Sequence, residues 1–167
     1  SVRREGDHFV AATELGDTYE SATIIIAVGR ERRKLGLERE EEWVGRGVSF
    51  CSTCDAPLHR GNVVGVVGGG DAAVKGAVLL SKYARKVYLI YRGASLTRPE
   101  PANLRQLAEA QNVECVFNTN VIELTGEDGL EGVVLDNPLD GSTELELNGI
   151  FMELGADPRV DLANQLG

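Results

Sequence analysis

The 167-residue chain has no apolar run long enough to cross a membrane. Its longest, residues 22–28 and 62–67, are strand-length, against the roughly 20 residues a membrane helix needs. The opening Ser1-Val-Arg-Arg-Glu-Gly-Asp7 carries no apolar stretch of the kind a secretory signal has, so the expected compartment is the cytoplasm. A basic surplus is missing too. Lys and Arg number 17 against 26 Asp and Glu, a net charge of −9. That leaves nothing to neutralise a phosphate backbone and argues against nucleic acid as a partner. Any anionic ligand needs a local basic pocket. Cysteine is scarce: 3 residues, Cys51, Cys54 and Cys115, an odd count that is not the disulfide framework of a small secreted domain.

What is present is an ordinary globular composition, 43% hydrophobic and 26% charged, at a length that fits one domain or one with part of a second. Residues 8–13 alternate as a half-exposed strand, and residues 18–20 can pair back on it across the Gly16-Asp17 turn. Residues 22–29 form a continuous β-branched run, the pattern of a strand buried on both faces. Residues 30–47 are charged and aperiodic, which predicts an exposed linker and a domain boundary. Then an α/β rhythm begins: strands over 62–67, 86–91 and 113–117, with helices over 71–83 and 100–111 between them. This alternation predicts parallel pairing with right-handed crossovers. Period-2 segments over 120–124, 130–135 and 143–147 predict an antiparallel meander, with turns at 126–129 and 138–141. A last strand is expected over 150–153. The fold class is therefore α/β: a Rossmann-like parallel sheet with helices on both faces plus an antiparallel β-meander.

Between the first of these strands and its helix stands Gly68-Gly69-Gly70-Asp71-Ala72-Ala73, a G-x-G-x-x-A loop. Gly68 makes the tight turn, and Gly70 lets a pyrophosphate approach the backbone. Asp71 and Ala72 open the helix, whose free N–H groups and dipole favour phosphate, and small Ala73 lets helix and strand pack closely. Such a loop can be a plain turn, but its strand–helix context favours dinucleotide binding. The next strand ends in Tyr91-Arg92, where an acidic residue would select NAD and an arginine a 2′-phosphate. No carboxylate follows until Glu100, and Arg92 with Arg98 favours NADP(H), although NAD(H) stays open and both arginines could be solvated surface residues.

Cys51-Ser52-Thr53-Cys54-Asp55 allows three readings. A zinc site wants four ligands, and the remaining Cys115, His8 and His59 make no second knuckle. Two inert core cysteines fit poorly with the polar Ser52, Thr53 and Asp55 around them. A redox dithiol fits best: the C-x-x-C setting lowers a thiol pKa from about 8.5 toward 7. The adjacent Asp55 can carry a proton during exchange.

Gly45-Arg-Gly-Val-Ser-Phe-Cys-Ser-Thr-Cys-Asp55, followed by Val67-Gly-Gly-Gly-Asp-Ala-Ala73, closely resembles thioredoxin reductases of the low-molecular-weight type. The resemblance implies that residues 1–29 are a remnant of an FAD domain. It makes residues 30–152 the NADP(H)-binding domain carrying the cysteine pair, and 153–167 the start of the return to the FAD domain. It implies electron flow from NADPH through FAD to Cys51–Cys54 and on to a thioredoxin-like protein disulfide. Cys51 would attack the partner, Cys54 would face the flavin and Asp55 would donate the proton. The family's usual homodimeric state is implied likewise. One departure stands out: family members usually carry His-Arg-Arg where this chain has Tyr91-Arg92-Gly93, and Arg98 is displaced by one position. The FAD fingerprints are missing, so the chain is read as the central portion of such a protein, not expected to hold FAD by itself.

Overall fold

Short β-branched segments separated by glycines give strands of four to six residues in most of this chain, and among the described residues two segments sustain a helix beyond two turns. The computed structural model describes residues 1–166. In chain order the strands are β1 (Val2–Glu5), β2 (His8–Ala12), β3 (Thr18–Ser21), β4 (Arg30–Arg32), β5 (Val48–Ser49), β6 (Val63–Val67) and β7 (Lys86–Tyr91). There follow β8 (Val113–Phe117), β9 (Val121–Thr125), β10 (Gly132–Leu139), β11 (Ser142–Glu146), β12 (Gly149–Met152) and β13 (Ala156–Pro158). The helices are α1 (Ser52–Asp55), α2 (Asp71–Leu80), α3 (Pro101–Glu109) and α4 (Asp161–Asn164), with a 3-10 turn over Ala56–His59. These elements form two compact units, residues 1–32 with the stretch from Ala156 onward, and residues 33–155.

In the first unit β1, β2 and β3 make an antiparallel sheet, and β4 pairs antiparallel with β13. Residues 22–29, expected as a buried strand, form none: Ile25 is 91% exposed. A strand buried on both faces needs neighbours on two edges and cover on two faces. Neither small sheet of this unit provides them.

The second unit holds a five-stranded parallel sheet in the order β5-β12-β6-β7-β8. Alternation along its strands splits the core in two. Val64, Val66, Val87, Leu89 and Phe151 face Ala73, Val74, Ala77 and Leu80 of α2 and Leu107 of α3. Val67, Ile90, Ile150 and Met152 face the opposite way, onto Val121, Leu124, Val133 and Leu135 of the meander and onto Trp43. Each such fully buried side chain contributes about 1.5–3 kcal/mol. The parallel sheet and the meander are as the sequence implies. The expectation of helices on both faces is corrected: α2 and α3 share one face, and β9–β10–β11 cover the other. Period-2 segments bury a stripe against a sheet as well as helices do, so layer identity was open to either.

The charged stretch 30–47 is also not an exposed linker throughout. Glu40 and Trp43 are each only 1% exposed. The Glu40 carboxylate accepts the backbone N–H groups of Leu35, Gly36 and Leu37 at 3.0, 2.7 and 3.2 Å. Hydrogen bonding makes burial of this charge tolerable, and the loop it ties places Trp43 in the core. In the meander, β10 runs through Leu139, which pairs with Ser142. That shrinks the expected four-residue turn to Asp140-Gly141, both with positive φ, 51° and 86°, as a two-residue hairpin favours.

Candidate functional site: glycine loop, groove and disulfide

The loop between β6 and α2 lies at the C-terminal end of the parallel strands, where such sheets bind ligands. Gly68 has φ +147°, and a Cβ there would sit 2.4 Å from the Glu153 carbonyl oxygen and 3.0 Å from the Ala73 Cβ. Glycine is therefore forced by the approach of the chain leaving β12. Gly69 lies under the Tyr91 ring, with a Cβ falling 2.2 Å from Tyr91 Cε2. Gly70 is different. Its φ is −95°, which any residue adopts, and no atom lies within 4 Å of an added Cβ. Open space at the N-cap of α2 is what a phosphate approaching the helix N–H groups requires.

Asp71 and Ala72 form the first turn of α2 as expected, but the Asp71 side chain is turned away to α3. Its carboxylate binds Lys75 Nζ at 2.6 Å, Asn103 Nδ2 at 2.6 Å and the Glu100 N–H at 3.1 Å. Lys75 first, then these two donors, hold its pKa down at about 2. Asp71 thus ties the first turn of α2 to the N-terminus of α3.

Beside the loop runs a groove of about 340 Å³ lined by Gly68, Gly69, Tyr91, Arg92, Thr119, Asn120 and Glu153, together with Arg33 and Lys34. Arg98 does not line it. The structure therefore joins Tyr91 and Arg92 to the glycine loop and leaves Arg98 outside the groove. In a chain of net charge −9, Arg33, Lys34 and Arg92 bring positive charge to this groove, Lys34 being ion-paired to Glu41 and Glu153 sharing the lining. Arg33 and Lys34 were hidden in a charge run that reads as linker, and Glu153 in the end of a strand.

Cys51 and Cys54 form a disulfide with a Cα–Cα distance of 5.3 Å. Cys51 caps α1: its Sγ accepts the Cys54 N–H at 3.2 Å. The Cys51 N–H donates to Ser49 Oγ at 3.0 Å, and Ser49 Oγ donates to Asp55 Oδ2 at 2.6 Å. The buried Ser49 hydroxyl thus fixes the carboxylate beside the disulfide. Ser52, also buried, donates its Oγ–H to Glu153 Oε1 at 2.5 Å and packs on Gly76 of α2, where a Cβ would be 2.6 Å away. Half-buried His59 stacks edge-on against Phe151 at 5.1 Å. Burial lowers its pKa and the Asp55 charge opposes that. Cys115, on β8, is outside this cluster, with its thiol pushed up by burial and by Glu114. Ser49, Ser52 and Gly76 carried no sequence signal, because each acts through a contact far along the chain or through the local turn.

Comparison with known proteins gives a consistent picture. The thioredoxin reductase of Mycoplasma pneumoniae is 38% identical over 153 residues, covering 91% of this chain and 48% of that protein. That of Streptomyces clavuligerus is 36% identical over 163 residues, covering 97% and 50%. The crystal structure of Lactococcus lactis thioredoxin reductase in its FR conformation superposes with a TM-score of 0.85 at 32% identity, covering 99% of this chain and 55% of that one. The chain spans about half the length of the curated relatives it matches. The match to a family profile extends from residue 2 to residue 167, and on it the chain belongs to the pyridine nucleotide-disulphide oxidoreductases.

Proposed function

We propose that this chain is the nucleotide-binding, redox-dithiol part of a thioredoxin-reductase-like flavoprotein. In that protein, electrons from NADPH reach Cys51–Cys54 by way of FAD and pass to the disulfide of a thioredoxin-like partner. One observation carries the reading: the Cys51–Cys54 disulfide is borne on α1, packed through Ser52 and Gly76 against the helix that the glycine loop opens. Glycine loop and thiol pair are thus parts of one packed unit.

The residues fit a dinucleotide. Gly70 leaves the helix N-terminus open, and Arg33, Lys34 and Arg92 supply positive charge along the groove. A bound NADPH supplies a hydride. Among the described residues there is no second strand–glycine–helix loop of the kind that would hold a flavin's pyrophosphate. What the chain's own residues do begins with the dithiol. The Cys51 thiolate, steadied by the Cys54 N–H, attacks one sulfur of the partner disulfide. A Cys51–partner S–S bond forms, the partner's own S–S bond breaks, and the leaving thiolate takes a proton by way of Asp55. The Cys54 thiolate then attacks Cys51 Sγ. The Cys51–Cys54 bond closes as the Cys51–partner bond breaks. The partner's second sulfur leaves as a thiolate that takes up a proton, and the partner departs with two electrons more than it brought. Ser49 keeps Asp55 aimed at this exchange.

Equilibration of the chain with a thioredoxin, read by alkylation and mass, tests the redox half. The expected result is a couple within about 30 mV of a thioredoxin's −270 mV or so, a tenfold range in equilibrium constant. A disulfide that resists reduction far below that marks structural cysteines. Calorimetry tests the other half: NADPH should bind more tightly than NADH, and equal affinity sinks the 2′-phosphate assignment.

A further inference from the structure

Glu153 stands where the two halves of the site meet. It follows β12 directly, and its N–H donates to the Val67 carbonyl at 2.9 Å. Its own carbonyl oxygen is the atom that forces Gly68 to be glycine, so its backbone is pinned to the glycine loop. Its side chain leaves in the other direction. The carboxylate accepts Ser52 Oγ–H at 2.5 Å and the Ser52 N–H at 3.4 Å, at the residue next to Cys51. Glu153 also lines the groove beside the loop. Ser52 is 4% exposed and wedged on Gly76, so neither end of this link can shift without moving its neighbours.

We propose, resting on the function above, that Glu153 is a positioning residue that couples occupancy of the nucleotide groove to the redox state of Cys51–Cys54 through its hydrogen bond to Ser52. The disulfide closes α1 into the form that presents Ser52 to Glu153. Reduction breaks the S–S bond, adding two electrons and two protons, and lets the four-residue α1 relax. Glu153 then loses its fixed partner, and the groove is less well prepared for a ligand. NADPH therefore binds the disulfide form more tightly than the dithiol form. By linkage, NADPH makes the disulfide harder to reduce by the same factor.

The experiment is calorimetric titration of NADPH into the chain in its disulfide form and in its dithiothreitol-reduced form. In parallel, the Cys51–Cys54 equilibrium with glutathione is measured with and without NADPH. Affinity is expected to fall about fivefold or more on reduction, the size of a typical coupling between sites. The glutathione equilibrium should shift by the matching factor. S52A, which lies outside the groove lining, should bring both ratios toward one while still binding NADPH, and E153A should bring them toward one whatever its own affinity. E153Q, which keeps an acceptor oxygen for Ser52, should retain them; if it does not, charge rather than the hydrogen bond carries the effect and the proposal fails as stated. Equal affinity in the two redox states overturns the coupling and leaves the functional reading intact. Absence of NADPH binding in either state overturns both.

Discussion

Replacing Gly70 with alanine separates the two reasons a glycine can stand in the loop. At Gly68 an added methyl meets the Glu153 carbonyl oxygen at 2.4 Å in a backbone of φ +147°. Overpacking of that kind costs about 1–3 kcal/mol, and a side chain held in a sparsely populated region costs about 1–3 more. Gly68→Ala should therefore lose about 2–6 kcal/mol, a large part of an ordinary domain's stability of about 5–15. At Gly70 the methyl points into space with no atom within 4 Å. Fewer unfolded conformations favour Ala by about 0.4–1 kcal/mol, and its weaker N-capping offsets a similar amount. Gly70→Ala should leave stability within about 1 kcal/mol of the parent. Its methyl would nevertheless stand where the pyrophosphate must approach α2. NADPH affinity should fall about tenfold or more, about 1.4 kcal/mol. Urea denaturation reads the first quantity and calorimetry the second. A Gly70→Ala protein that binds NADPH like the parent refutes the reasoning, and so does one that unfolds as readily as Gly68→Ala.

Two further outcomes follow from the packing. Asp71, held at a pKa of about 2 against an ordinary 3.8 by Lys75, Asn103 and the Glu100 N–H, contributes stability above its unfolded pKa that fades as pH falls through the folded value. Thermal melts of Asp71→Asn should lack that acid-side decline between about 4 and 2, and an unchanged decline would remove Asp71 as its source. Trp43→Ala, at a site 1% exposed, should cost about 3–5 kcal/mol in urea denaturation. A loss under about 1 kcal/mol would mean that the loop tied by Glu40 is peripheral.

The central sheet was legible because its signal is local. Residues 62–67, 86–91 and 113–117 are β-branched runs bounded by turn residues, and the structure places β6, β7 and β8 on them within a residue or so. Tyr91, Arg92 and the glycine loop were equally readable, since spacing along one βαβ unit fixes their proximity. What failed depended on neighbours. Residues 22–29 carry the pattern of a doubly buried strand, but burial is decided by what pairs with them, and among the described residues no strand of their unit runs alongside them. Glu40 reads as solvated until three backbone amides converge on it. Arg33, Lys34 and Glu153 enter the groove from segments far from the loop in sequence. No periodicity encodes that meeting.

The position of β12 in the sheet has a consequence for how the molecule is assembled. β6, β7 and β8 are laid down in the order in which they pair, so a growing chain can form them as it emerges. β5, which precedes the cysteines, is joined to that sheet only through β12, where Val48 pairs with Ile150. The thiols are therefore made early and anchored to the sheet late. The long loop closed by β12 is the costly contact in the topology. Until residues 149–152 insert, the segment carrying Cys51 and Cys54 has helix contacts but no sheet to stand on.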